Sequence, residues 1–414
     1  MGLVLLGSAA FSGCYLSHRR AAPEPEPGDA GTDATVWDAG ADGGADATTH
    51  DAGVDAWVLP PDCDAGTDPD PAGPPLVLDM LFVVDDSLSM SEEQAALTRR
   101  FSAMVSVLVT GDLDGDGRAD FQPVDDLRVG VVTTTVDVGV TAVPSCAATA
   151  VEGDDGILRT AGDPFSASCS RSYPSFLSFR PGVGDSSERF VRDFACVATV
   201  GTQGCGFEQP LEAALKALTP VDAPIEFLAG RGQADGANAG FLREDSVLAV
   251  VVVTDEDDCS TRDAELFNPE SERYPAPDRA ASNLRCFTYP EALHPVERFV
   301  VGLTRLRRPD SFVFAAIAGV PPDLVSDPEH IDYEALLADP RMQERIDPEH
   351  PTRLRPACDV VGTGFAQPSR RIVSLASALG DNAVVQSVCD DSFVSALSGV
   401  TSRLAEIIRR RRCR

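Results

Sequence analysis

Apolar residues fall in five short, nearly unbroken runs: 76–85 (LVLDMLFVVD), 126–135 (DLRVGVVTTT), 246–255 (SVLAVVVVTD), 311–320 (SFVFAAIAGV) and 382–389 (NAVVQSVC). Rich in Val, Ile and Phe, they read as strands, several of them buried on both faces. Helical periodicity covers 91–109, 187–199, 207–218, 291–307 and 370–379. A last helix, 392–410, places Phe393, Leu397, Val400, Leu404 and Ile408 on one stripe. This alternation predicts an α/β fold with a doubly wound, mainly parallel sheet flanked by helices. In such sheets ligands gather at the carboxyl ends of the strands, and that is where the unusual polar residues of this chain fall. Three stretches break the alternation: 138–186, 256–290 and 321–369 are long and rich in Pro, Gly and Asp, and they hold five cysteines. Loops of that length are either functional or disordered, and the cysteines point to order, so they read as disulfide-pinned insertions into a domain spanning 76–414.

Before residue 76 the pattern changes character. Residues 1–20 (MGLVLLGSAAFSGCYLSHRR) hold an apolar segment too short to span a bilayer, then small residues and Cys14. The FSGC stretch resembles the bacterial lipobox, which makes 1–14 a lipoprotein signal and Cys14 the lipidated residue. Tyr15 follows where an inner-membrane retention aspartate would stand, which favours the outer membrane of a Gram-negative envelope, on its periplasmic face or at the cell surface. Residues 15–75 read as a disordered acidic tether. From residue 21 onward it repeats DAG and DA, with thirteen Asp and Glu and no Lys or Arg, so like charges keep it extended and solvated.

Charge and cysteine content narrow the function classes. The chain carries a net −31, and residues 76–414 alone carry 32 basic against 52 acidic side chains, a net −20. Nucleic acid is excluded as a partner on charge, and membrane contact is expected only through the lipid anchor. With Cys14 lipidated, ten cysteines remain and no C-x-x-C pair is among them, which favours disulfides in an oxidising compartment over zinc. Sequence does not determine connectivity. Neighbour pairing gives Cys146–Cys169, Cys196–Cys205, Cys259–Cys286 and Cys358–Cys389, leaving Cys63 to clasp Cys413.

The candidate chemistry sits where the first run ends. LFVVDDSLSMSEEQ closes a strand with Asp85, Ser87 and Ser89 in a D-x-S-x-S pattern. ATVGTQGCGFEQPLEAALKAL places Thr202 in a glycine-bounded loop before a helix, and VLAVVVVTDEDD ends the most hydrophobic run at Asp255. Together these resemble the von Willebrand factor type A domain (a Rossmann-like fold) and its metal-ion-dependent adhesion site. The resemblance implies Mg²⁺, or Mn²⁺ or Ca²⁺, with Ser87, Ser89 and Thr202 as direct hydroxyl ligands and Asp85 and Asp255 acting largely through water. Few charged ligands leave the ion electrophilic. It would then bind an acidic group on a protein or other ligand in the envelope or extracellular matrix. Read on their own, Ser87 and Ser89 could also cap a helix beginning near Ser91.

A second pattern, GDLDGDGRADFQPVDD, matches the start of a calcium loop with Asp112, Asp114, Asp116 and Asp120. Pro123 occupies the position of the bidentate glutamate, and a plain Asp/Gly turn accounts for the stretch equally well. There is no G-x-S-x-G, H-E-x-x-H or Walker A pattern, and only His294, His330 and His350 lie in the domain. The expectation is therefore a surface-tethered, cation-dependent binding module and not an enzyme. The alternatives are a structural envelope lipoprotein whose metal only stabilises the fold, and a metal-dependent hydrolase.

Overall fold

The computed structural model describes residues 75–91, 103–112, 116–119, 123–139, 154–183, 186–276, 282, 284–360, 364–390, 399–404 and 406. The signal segment 1–14, the tether, and Cys14, Cys63, Cys146, Cys413, Asp114 and Asp120 lie outside them.

Six strands form one mixed, mainly parallel sheet. In chain order they begin with β1 (Val77–Val84), β2 (Asp126–Thr133), β3 (Leu177–Phe179) and β4 (Val247–Val253), continue with β5 (Phe312–Ala318), and close with β8 (Ala383–Ser387) after a separate two-stranded antiparallel ribbon, β6 (Cys358–Val360) and β7 (Gly364–Ala366). The order across the large sheet is β3-β2-β1-β4-β5-β8, and only β3 runs antiparallel to its neighbour. Every residue of β4 and β5 is buried, as a central parallel strand covered on both faces requires. Five strands match apolar runs of the sequence. β3, three residues at the edge, lies inside the first predicted insertion.

Helices cover the sheet. The segment 103–110 (α1), Ser187–Ala198 (α2) and 399–404 (α8) contribute Met104, Leu108, Phe194, Val400 and Leu404 to a core that takes Leu78, Met80, Phe82 and Val84 from β1. Pro210–Leu218 (α3) and Glu297–Thr304 (α5), with Arg370–Leu379 (α7), contribute to a second core that takes Leu81 and Val83. Alternate β1 side chains thus enter different cores, the period-two consequence of the pleat. Helix α3 is buried along its whole length. Its Lys216, the only lysine of the chain, is fully buried and paired with Asp155.

The insertions are folded, and the short helices Arg285–Thr288 (α4) and Tyr333–Ala338 (α6) lie in the second and the third. Cysteine pairing in the first differs from the neighbour scheme. Cys169 bonds to Cys196 on α2, which overturns both Cys146–Cys169 and Cys196–Cys205. Cys205 is disulfide-bonded as well, to a cysteine outside the described residues. Two more bonds join described cysteines: Cys259–Cys286, which closes the second insertion around Phe207, Phe267 and Leu293, and Cys358–Cys389, which ties the third to the end of β8. No helix among the described residues is long and apolar enough to cross a membrane.

Candidate functional site

Register brings the polar residues together. Val84, the last residue of β1, pairs with Thr133 on one side and Val253 on the other, so the three central strands end level. The Asp85 amide then donates to the Val253 carbonyl (2.9 Å), setting Asp85 beside Thr254 and Asp255. Winding also reverses here, since β2 and β3 lie to one side of β1 and β4, β5 and β8 to the other. A crevice for ligands is expected at such a point.

Asp85 is fully buried. Its Oδ2 accepts from Thr254 Oγ1 (2.6 Å) and its Oδ1 from the Ser87 amide (2.8 Å). Ser87 Oγ and Ser89 Oγ are 2.8 Å apart, and Ser89 Oγ donates to Asp255 Oδ1 (3.1 Å). An unbroken hydrogen-bonded chain therefore joins two motifs separated by 166 residues. Ser87 and Asp255 are buried, while Ser89 is exposed at the mouth. Thr202 is outside this chain. Half-buried, it makes no side-chain hydrogen bond among the described residues. Its loop is held two residues later, where the Gly204 amide donates to the Asp86 carbonyl (2.7 Å).

Three further carboxyls, none of them assigned a metal-binding role from the sequence, gather at this pole. Asp86 is buried; its Oδ1 accepts from Thr135 Oγ1 at 3.1 Å, and its Oδ2 has no hydrogen-bond partner among the described residues. Burial, then the charges of Asp154 and Asp85, pushes its pKa up to about 8. Glu208, two residues before α3, and Glu256, next to Asp255, are neighbouring buried acids that act on each other's titration. Burial, then Glu256 and Asp85, holds Glu208 well above the usual carboxylate range, and burial carries Glu256 up to about 7. Burial likewise raises Asp85 against the hydrogen bonds it accepts. A signal for Glu208 was present: Pro210 starts α3, so the residues delivered to the strand ends are the last ones before that proline.

The opposite end of the sheet is built differently. Buried Asp79 in β1 is answered by the Arg243 guanidinium (Nε to Oδ1, 2.8 Å) and by Ser246 Oγ (2.6 Å). No ion pair among the described residues reaches Asp86, Glu208 or Glu256 at the carboxyl pole. Clustered acids met by hydroxyls and amides are a donor set suited to a hard cation, which prefers oxygen. The Asp86 Oδ2, which has no hydrogen-bond partner among the described residues, fits the same chemistry. The set depends on serine hydroxyls: among the described residues, no group of three or more His, Cys, Asp or Glu stands in a metal-holding arrangement.

In the second Asp-rich loop, Asp112 Oδ2 accepts the Gly117 amide (2.9 Å) and Asp116 Oδ1 the Arg118 amide (2.8 Å). Closure of that kind belongs to a plain Asp/Gly turn as much as to a calcium loop. No protein-family model and no curated protein matches the chain.

Proposed function

We propose that this protein is an exported, envelope-tethered binding module of the von Willebrand factor A type. In this reading its doubly wound sheet presents a divalent cation, Mg²⁺ first, to an acidic group on a partner, and the protein is not an enzyme. The observation that carries it is the hydrogen-bonded chain from Ser87 through Ser89 to Asp255, which assembles the D-x-S-x-S motif and the strand-end aspartate at one point. Asp85, Ser87, Ser89, Thr202 and Asp255 would hold the ion, Thr202 from the loop that Gly204 fastens to the Asp86 carbonyl. The neutral hydroxyls in the set leave the cation with residual charge, and that is what attracts a carboxylate. Export is supported by the lipobox-like FSGC at Cys14, the acidic tether and the disulfides between described cysteines, which belong to an oxidising compartment. The test is capture of envelope or matrix proteins on the immobilised full chain. Retention is expected in Mg²⁺, with loss in EDTA and in Asp85→Ala. Capture that ignores both would remove the binding reading.

A further inference from the structure

A separate cavity opens beside the strand-end cluster. Its volume is about 40 Å³, which holds about three waters. Asp85, Ser87, Ser89 and Asp255 do not line it. Its lining combines the acids Glu208, Glu256, Asp257, Asp258 and Glu344 with Gln367, Arg371 and apolar Leu284, Phe287, Leu293 and Leu354, and the Cys259–Cys286 bond braces it.

Several of these charges are already occupied. Asp257 accepts the Arg371 amide at 3.0 Å, at the start of α7. Asp258 holds the Arg371 guanidinium (3.0 Å) and Ser260 Oγ (2.6 Å), and the same guanidinium donates to the His294 carbonyl (2.7 Å). Glu344 lies 3.8 Å from Arg370. Glu208 is different. It is 2% exposed, its Oε1 has no hydrogen-bond partner among the described residues, and its side-chain neighbour is another acid, Glu256. A buried acceptor in that state is a strong pull on any donor that can enter.

The walls decide which cation. Mg²⁺ or Ca²⁺ needs six or more oxygens, and a partly apolar lining in which Glu208 Oε1 is the buried carboxyl oxygen without a partner among the described residues supplies too few. A basic side chain meets both parts of that lining, with its charged head on the carboxylates and its methylenes along leucine and phenylalanine. We propose that this cavity binds the guanidinium or ammonium head of an Arg or Lys side chain presented by a protein partner. The site goes beyond the cation reading and does not require it.

Saturation-transfer NMR on the full chain tests the site directly, using ethylguanidinium and a blocked Gly-Arg-Gly peptide against the same peptide with neutral citrulline. Saturable binding on the order of millimolar is expected for the two cations and none for citrulline. Glu208→Gln and Glu256→Gln, each checked for an unchanged circular dichroism spectrum, should weaken binding about tenfold or more. Asp85→Ala and EDTA should leave it intact, which separates this site from the strand-end cluster. Equal binding of citrulline, wild-type affinity in both Gln variants, or displacement of ethylguanidinium from Asp85→Ala by stoichiometric Mn²⁺ would each overturn the proposal.

Discussion

Gly204→Ala probes the packing that holds the Thr202 loop against the end of β1. A methyl group at Gly204 would lie 2.2 Å from Asp86 Cγ and 2.2 Å from Oδ1, far inside contact distance. The carboxylate has little freedom to yield, because Asp86 is 1% exposed and its Oδ1 accepts from Thr135 Oγ1, which in turn accepts the Cys205 amide at 3.0 Å. Moving the loop instead would break the Gly204 amide bond to the Asp86 carbonyl and pull against the disulfide at Cys205. Overpacking costs about 1–3 kcal/mol and each hydrogen bond about 1 kcal/mol, so a loss of about 2–4 kcal/mol is expected. Urea unfolding in EDTA measures this without any metal contribution, and the midpoint should fall with the slope unchanged. Gly206→Ala is the control, since its new methyl meets nothing within 4 Å and the change should stay within about 0.5 kcal/mol. If Gly204→Ala also unfolds within about 0.5 kcal/mol of wild type, the packing argument is wrong.

Three other perturbations have definite signs. Lys216→Met keeps the volume of a fully buried side chain but removes the partner of Asp155; since Asp155 retains partial solvent access, the loss in chemical denaturation should be about 2–4 kcal/mol, and a neutral result would mean the pair is dispensable. Replacing Cys259 and Cys286 by alanine opens a loop of 27 residues and should lower stability by about 3–4 kcal/mol at most, with proteolytic nicking between them as the local readout; resistance equal to wild type would refute the pinning. His294 has its pKa lowered to about 4 by burial and then by Arg298, Arg371 and Arg262, although Glu212 lies 3.9 Å away, because Arg298 already occupies that carboxylate. The unfolded chain therefore takes up the proton first as pH falls from about 6.5 to about 4. Stability present above pH 6.5 is lost across that window, and His294→Gln should recover about 1–2 kcal/mol of it after discounting for partial exposure; parallel pH profiles would contradict this.

Much of the architecture could be read in the sequence because the central strands are buried on both faces, which forces apolar runs at 77–84, broken only by Asp79, and at 247–253 and 312–318. Asp85 and Asp255 each close one of those runs and were paired through a motif resemblance; that the strands end level is seen only in their register. Short edge structure was not legible. β3 and the β6–β7 ribbon are three residues per strand, too short for periodicity to register. Neighbour pairing of cysteines failed where α2 folds back on the first insertion: the Asp163 amide donates to the Cys196 carbonyl (2.9 Å), so Cys169 meets Cys196 although Cys146 and Cys205 are nearer along the chain. Thr202 could be named for its hydroxyl and its glycine-bounded loop; Glu208, closer to the start of α3 at Pro210, carried no motif that marked it for the strand-end pole.

The central claim is that the cluster at the end of β1 binds a divalent cation through serine hydroxyls and strand-end carboxylates. Calorimetric titration of metal-stripped protein with Mn²⁺ and Mg²⁺ tests it most directly, on wild type, Asp85→Ala and the Ser87→Ala/Ser89→Ala double variant. The account predicts saturable, stoichiometric binding in wild type, abolished in Asp85→Ala and weakened at least about tenfold in the serine variant, the loss of one to two oxygen ligands. Wild-type affinity in both variants, or no binding by any of the three proteins, would contradict it.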